Sequence, residues 1–277
     1  MLGITRQIDK GSGKLLSMRE ARAGSSVSTP AGYPPLPRGL VIYVIGDVHG
    51  RLDLLVSAQE RIDRDKRQFA TEEVTEIYLG DYIDRGPASA EVISNLINRG
   101  DKVRARFLRG NHEQLLMDFI RGENCLAEWK AVGGAATLLS YGITPDFLKH
   151  GAAPEIVRSA LCDRMPKEHL EFLELTGSYI GFGPYLAVHA GVRPGVSLEK
   201  QTTRDLLSIR SDFLDHTGDF GYIVIHGHTP VQQPDPRRNR INIDTGAFAT
   251  NLLTCIRIGE EGVSIVQDDG SHIARRP

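Results

Sequence analysis

The chain is poor in cysteine: Cys125, Cys162 and Cys255 stand far apart among 277 residues, and none forms a CxxC pair. That pattern excludes a disulfide framework and a thiolate zinc knuckle, and it fits a reducing cytoplasm. Long apolar runs are also missing. No stretch reaches the ~20 residues of a membrane-spanning helix, and no apolar run near the N-terminus precedes a small-residue cleavage site. The expectation is an unexported, cytoplasmic protein with no membrane partner. Charge of one sign is not in excess either, since 33 Lys and Arg face 35 Asp and Glu for a formal net charge of −2. The overall balance therefore gives no reason to expect nucleic acid as a partner. Oligomeric state leaves no mark in the composition.

What is present is ordinary for a globular protein, 40% apolar and 25% charged, in a length that suits one large domain. Residues 1–38 are rich in Gly, Ser, Pro, Lys and Arg and end in Pro34-Pro35-Leu36-Pro37. Their few apolar side chains cannot offset the entropy of ordering, so they are read as a disordered leader before a domain spanning 39–277. Gly11-Ser12-Gly13-Lys14 in that leader is not a nucleotide loop. It lacks the first glycine at the right offset, a Ser or Thr after the lysine, and a preceding strand.

From Leu40 onward, short β-branched runs alternate with amphipathic helical ones, the pattern of an α/β layered fold. Strands are expected at 41–45, 76–79 and 103–108 and helices at 52–69 and 88–98, giving an opening β-α-β-α-β unit. The middle, 112–175, reads as helical and is expected to cap the sheet. Trp129 and Tyr141 there are read as core packing, with stacking on a base or a phosphotyrosine as the alternative. Strands return at 178–182, 185–189, 222–226, 240–244, 252–258 and 263–267. Without long helices between them, these predict a second, mixed or antiparallel sheet packed on the first.

Polar residues of metal-ligand type fall just after the strands, where open α/β sheets place their sites. The first strand runs into Gly46-Asp47-Val48-His49-Gly50, the second into Gly80-Asp81-Tyr82-Ile83-Asp84-Arg85-Gly86, and the third into Gly110-Asn111-His112-Glu113. Two later strands deliver His189 and His226-Gly227-His228. One such residue would be a turn or an ordinary surface group; five strand ends carrying them together need another explanation. Asp, Asn and His without Cys suit Mn, Fe or Zn held by oxygen and nitrogen. A carboxylate such as Asp81 can bridge two cations, and two divalent ions about 3.5–4 Å apart can clamp both oxygens of an in-line displacement at phosphorus.

These three motifs, in this order, resemble the signature of the phosphoprotein phosphatase family of calcineurin-like metallophosphoesterases, over about residues 41–258. Val188-His189-Ala190-Gly191 and His226-Gly227-His228-Thr229-Pro230 further resemble its bacterial branch, which includes small protein phosphatases and symmetrical diadenosine tetraphosphatases. The resemblance implies a four-layer α/β fold, a sandwich of two mixed sheets flanked by helices. It implies two divalent ions, Mn²⁺ first with Fe or Zn as alternatives. Asp47 and His49 would hold one ion, Asn111, His189 and His228 the other, and Asp81 would bridge them. His112 would be the general acid, oriented by Asp84, while Arg85, Arg210 and Asn111 would bind the substrate phosphate. Residues two apart on a strand share a face, so His226 and His228 could both point toward the metals; the resemblance selects His228 as the ligand and leaves His226 behind it.

The implied activity is hydrolysis of phosphoserine or phosphothreonine by a hydroxide activated between two metals, with a phosphoprotein as partner. Symmetrical hydrolysis of diadenosine tetraphosphate to two ADP is the alternative, with a dinucleoside polyphosphate as partner. A non-catalytic metal-binding module is a third reading, but such a relic should have lost ligands or the acid, and none is missing. In place of the Tyr- and Cys-containing loop of the eukaryotic enzymes, this chain has Asn242-Ile243-Asp244-Thr245-Gly246-Ala247, which resembles the bacterial branch.

Overall fold

The computed structural model describes residues 32–69, 73–144, 147 and 153–266. Most of the expected leader, residues 1–31, lies outside the described residues. Its last part is packed: Tyr33 and Leu36 are buried against both sheets, the Leu36 amide donates to Gly259 O, and Tyr185 Oη donates to Pro34 O. Two apolar side chains with backbone partners suffice to order this short piece, although its composition reads as unstructured.

The opening unit folds as β1 (Leu40–Ile45), α1 (Leu52–Asp65), β2 (Glu73–Tyr78), α2 (Ser89–Lys102) and β3 (Ala105–Phe107). The three strands are parallel neighbours, so α1 and α2 are crossover helices on one face. Along β1 the side chains alternate. Val41, Tyr43 and Ile45 enter the core beneath the helices, while Ile42 and Val44 enter the core between the sheets. Both faces are covered, which explains a continuous apolar run instead of a half-polar strand.

The helical middle comprises α3 (Asn111–Arg121), α4 (Leu126–Ala131), α5 (Gly134–Ser140), α6 (Pro154–Arg164) and α7 (Lys167–Glu174). Leu116, Phe119, Trp129, Leu138 and Leu161 join α1 and α2 in one core on the outer face of the first sheet. The second sheet contains β4 (Tyr179–Phe182), β5 (Tyr185–Val188), β6 (Ile223–His226), β7 (Asp235–Pro236) and β8 (Arg240–Asn242), in the order β4-β5-β6-β8-β7. It is mixed, with β5, β6 and β8 parallel and an antiparallel strand at each edge. On its outer face lie α8 (Thr203–Ser208) and α9 (Ser211–Leu214), whose Leu206 and Phe213 pack with Leu186, Val188 and Val224.

Helices, sheet, sheet and helices make the four expected layers. One detail differs from the sequence reading: the last two strands, β9 (Cys255–Gly259) and β10 (Gly262–Ile265), belong to the first sheet, whose order is β10-β9-β1-β2-β3. Strand periodicity fixes which side chains face a core, but not which sheet edge the strand joins. Before β9 comes a one-turn helix, α10 (Ala247–Thr250).

Candidate active site

All the strand-end motifs meet at one rim of the sandwich. Asp47 and His49 follow β1, Asp81 and Asp84 follow β2, Asn111 and His112 open α3 after β3, His189 follows β5, and His228 follows β6. Five of the six non-glycine residues with positive φ among the described residues are here: His49 (47°), Asp81 (50°), Asp84 (71°), Arg85 (66°) and His228 (65°). Left-handed backbone costs of order 1 kcal/mol or more at such residues and clusters where function fixes a side chain.

Asp81 stands at the centre. Its Oδ2 lies 3.5 Å from His49 Nε2 and 3.8 Å from His112 Nε2, and its Oδ1 lies 3.4 Å from His189 Nε2. Asn111 Oδ1 approaches His189 Nε2 at 3.1 Å and His228 Nδ1 at 2.8 Å. The donors thus form two groups, His49, Asp81 and His112 on one side and Asp81, His189 and His228 on the other, and Asp81 belongs to both. The other ring nitrogens are engaged: His49 Nδ1 donates to Ile83 O and His189 Nδ1 to Leu79 O, each at 3.0 Å. Such a bond fixes the tautomer and leaves Nε2 with a lone pair for a cation.

Asp47 Oδ2 accepts from the His228 amide at 2.9 Å. Its Oδ1 is buried with no hydrogen-bond partner, as is His228 Nε2. Orphaned buried acceptors are costly unless something else satisfies them. A Cβ on Gly227 would fall 1.9 Å from Asp47 Oδ1, and one on Gly110 2.1 Å from Asp81 Oδ1, so glycine is required for the backbone to come this close.

Electrostatics agree with a cation site. Burial lowers the pKa of His49 and His228 to about 3 and lowers that of His189, leaving neutral imidazoles able to ligate. Burial, then Asp244 and Asp81, drives Asp47 well above the carboxylate range. Burial likewise pushes Asp244 up to about 6 and, with Asp81 adding, Glu113 up to about 7. Burial opposes ionisation of Asp81 too, but the imidazoles around it, His189 first, hold its carboxyl below the usual range. The residues fit divalent ions: the donor set is N and O, and the cluster carries more anionic groups than the fold compensates.

Beside this cluster, His112 Nδ1 donates to Asp84 Oδ2 at 2.6 Å. Burial alone would lower the His112 pKa, but Asp81 and Asp84 outweigh it and raise it. Asp84 is itself fixed by Trp129 Nε1, at 2.9 and 3.1 Å from its two oxygens, and by Thr137 Oγ1 at 2.5 Å. The helical middle is therefore built into the dyad. Trp129 is fully buried and Tyr141 is bonded to His169 within the helices, so neither is free to stack on a base. Arg85 and Arg210 are exposed at the rim; Arg85 Nη2 reaches His112 Nε2 at 3.3 Å and Arg210 Nη1 reaches Thr229 Oγ1 at 3.4 Å.

His226 lies outside both donor groups, with Nδ1 turned to Gly227 O and its ring edge-on to Phe213. Sequence reasoning gave no role to Glu113, whose carboxylate accepts from the amides of Gly110, Asp81, Tyr82 and Ile83 at 2.8–3.3 Å and so ties β2 to α3. It also missed Asp244, Trp129 and Thr137. The signal for Trp129 was physical: a buried indole N–H seeks an acceptor.

Fold and site together define a metallophosphoesterase. The chain belongs to the calcineurin-like phosphoesterase family, whose sequence profile matches residues 40–251; it is a hydrolase acting on phosphate esters, and membership implies divalent metal ions. It is 25% identical over 255 residues to an asymmetrical bis(5'-nucleosyl)-tetraphosphatase, PrpE, of Bacillus velezensis, covering 84% of this chain and 95% of that one. Among solved structures, a protein assigned as a diadenosine tetraphosphatase superposes with a TM-score of 0.54 at 15% identity, over 85% of this chain and 97% of that one. A serine/threonine phosphatase of Saccharomyces cerevisiae gives 0.50 at 15% identity, over 86% and 82%. These two structures establish the shared fold.

Proposed function

We propose that the chain is a dinuclear-metal phosphohydrolase acting on dinucleoside tetraphosphates. The observation that carries the chemistry is the sharing of Asp81 between two donor groups, one of which includes His112, whose Nδ1 is held by Asp84. Asp47, His49 and Asp81 would hold one ion and Asp81, Asn111, His189 and His228 the other. Mn²⁺ is the first choice, with Fe or Zn next. When bound, the ions supply Lewis acidity and a water acidic enough to attack phosphorus at neutral pH.

The chain's own residues do the rest. His112 holds a proton at Nε2 for the departing oxygen, a contribution of typically 10²–10⁴-fold. Asp84, fixed by Trp129 and Thr137, keeps Nδ1–H pointed at itself, so that the proton to be given stays on Nε2. Arg85 and Arg210 bind phosphoryl oxygens from the open side, where a planar guanidinium matches two oxygens at once. The three free cysteines suit a cytoplasmic setting.

The substrate rests on the relatives. Matches named for tetraphosphatase activity run along more than four-fifths of this chain, which moves dinucleotides ahead of the phosphoproteins favoured by the motifs alone. Their name also specifies asymmetrical cleavage, giving a nucleoside triphosphate and a monophosphate in place of two ADP. A phosphoprotein remains the second reading, because both arginines are exposed and would accept a phosphorylated side chain from a surface.

The test is kcat/KM, with Mn²⁺, for diadenosine tetraphosphate and for a phosphoserine peptide under identical conditions, with products identified. ATP and AMP from a preferred dinucleotide support the proposal. Two ADP would restore the symmetrical alternative, and preference for the peptide would sink the dinucleotide reading.

A further inference from the structure

The helix α10 and Arg51 form a clamp that the reaction chemistry does not call for. Arg51 Nη1 donates to Ala247 O at 3.0 Å and to Asn251 Oδ1 at 2.6 Å, while its Nε and Nη2 hold Asp53 at 2.9 and 2.6 Å. Thr250 Oγ1 donates to Thr245 O at 2.7 Å. The turn is also set by left-handed residues at both ends, Gly246 (φ 67°) and Asn251 (φ 60°). So clamped, α10 presents a single aromatic side chain to the rim, Phe248, which is 39% exposed.

The ring stands edge-to-face with His49, centroids 5.5 Å apart and planes at 84°, and the Arg85 guanidinium carbon lies 4.6 Å from its centroid. Arg85 is otherwise lightly held. Its guanidinium makes two long polar contacts, to His112 Nε2 at 3.3 Å and to Val132 O at 3.4 Å, and among the described residues no carboxylate is paired with it. A free arginine side chain carries rotamer entropy that a phosphate contact must overcome. A ring already stacked on the guanidinium removes part of that cost before substrate arrives.

We propose that Phe248 is a positioning residue: its ring, fixed by the Arg51 clamp, holds Arg85 over His49 and His112, ready to grip a phosphoryl group. The inference rests on the phosphate-binding reading of Arg85 and not on which substrate carries the phosphate. Inorganic phosphate, as a competitive inhibitor of the Mn²⁺-loaded enzyme, is therefore the probe. Phe248→Leu should raise the phosphate inhibition constant and KM by about two- to fivefold, the scale of an exposed cation–π contact, with kcat moving less. Phe248→Tyr, which keeps the π face, should behave as the parent. In an Arg85→Ala background the Phe248→Leu effect should vanish.

An equal Phe248→Leu effect with and without Arg85, or a Tyr variant as weak as the Leu variant, would overturn the inference while leaving the arginine grip intact. If Arg85→Ala leaves phosphate inhibition unchanged, the grip fails and the inference falls with it.

Discussion

A buried carboxylate within β2 and a cluster of buried carboxylates gathered just past its end are treated in opposite ways. Within β2, Glu76 is fully buried yet compensated: Arg99 reaches it at 2.7 and 3.0 Å, Lys66 and the Tyr78 hydroxyl also bond to it, and Arg99 grips Asp63 as well. Just past the end of β2, Asp81 sits with Asp47, Glu113 and Asp244, and among the described residues no Lys or Arg is buried among them. The arginines that act on Asp244, Arg85 and Arg210, are exposed at the rim. A buried charge is tolerated when it is paired or when a cation completes it. The first set is closed by the chain itself, and the second is left for ions to complete.

The largest effect should come from removing the proposed shared ligand. Asp81→Asn should lose metal measured by elemental analysis and lose activity by more than the 10²–10⁴-fold assigned to acid catalysis alone. Two ions retained per chain would refute the bridging role. His112→Asn separates chemistry from charge: turnover should fall about 10²–10⁴-fold with metal content unchanged. Near-normal turnover on an ester with a poor leaving group would remove His112 as the acid.

The compensated set should answer in stability and not in turnover. Glu76→Gln leaves Lys66 and Arg99 facing a buried amide. Breaking one side of a buried pair costs roughly 3–5 kcal/mol, and the lower end is expected because Lys66 and Arg99 reach solvent and Asp63 still binds Arg99. Denaturant midpoints report it, and kcat should stay within about twofold, since groups that do not touch the reacting atoms have no differential hold on the transition state. A large loss of kcat would mean that the two sets are not independent.

How far the sequence could foresee this contrast depends on the kind of residue. Asp47, His49, Asp81, Asn111, His112, His189 and His228 were visible because each sits in a short motif at a strand end, and strand ends are what apolar periodicity marks. The pairing of β9 and β10 with β1 was not, because an edge is chosen by packing across the sandwich. Glu76 was hidden in an apolar run, where a lone acid on a predicted strand gives no hint that Lys66 and Arg99 will meet it. Glu113 and Asp244 were printed inside motifs, yet their work is to accept backbone amides and crowd charge, and both require the folded chain. Trp129 and Thr137 reach Asp84 from about 50 residues away in sequence, a contact that no local pattern encodes.

The smallest effect sharpens the comparison through pH. In the metal-free protein, Asp244 at about 6 and Glu113 at about 7 lie above their unfolded values of roughly 3.9–4.3. The folded state then keeps protons that the unfolded state has released. Their contribution is full below about pH 4 and is lost as pH rises through 6 and 7. Glu76 has the opposite sign: burial is outweighed by Arg99 and Lys66, its folded pKa is depressed, and its contribution is present above about pH 4.3 and lost as pH falls through the folded value. The neutral imidazoles of His49, His189 and His228, whose folded pKa values burial depresses, act in the opposite sense and add stability as pH rises through about 6.5, so the share of Asp244 is read by difference: the metal-free parent should lose Tm relative to Asp244→Asn as pH rises from 5 to 8. Mn²⁺ should raise Tm more at pH 8 than at pH 5.5, where protons compete for the ligating carboxylate of Asp47. At a hundred times its Kd a single ion adds about 2.7 kcal/mol. Asp244→Asn should leave the acid limb as in the parent, whereas Glu76→Gln should flatten the acid limb and leave the neutral range as in the parent. A metal-free Tm difference between parent and Asp244→Asn that does not change from pH 5 to 8 would mean that Asp244 is compensated without ions, and the contrast between the two sets would be gone.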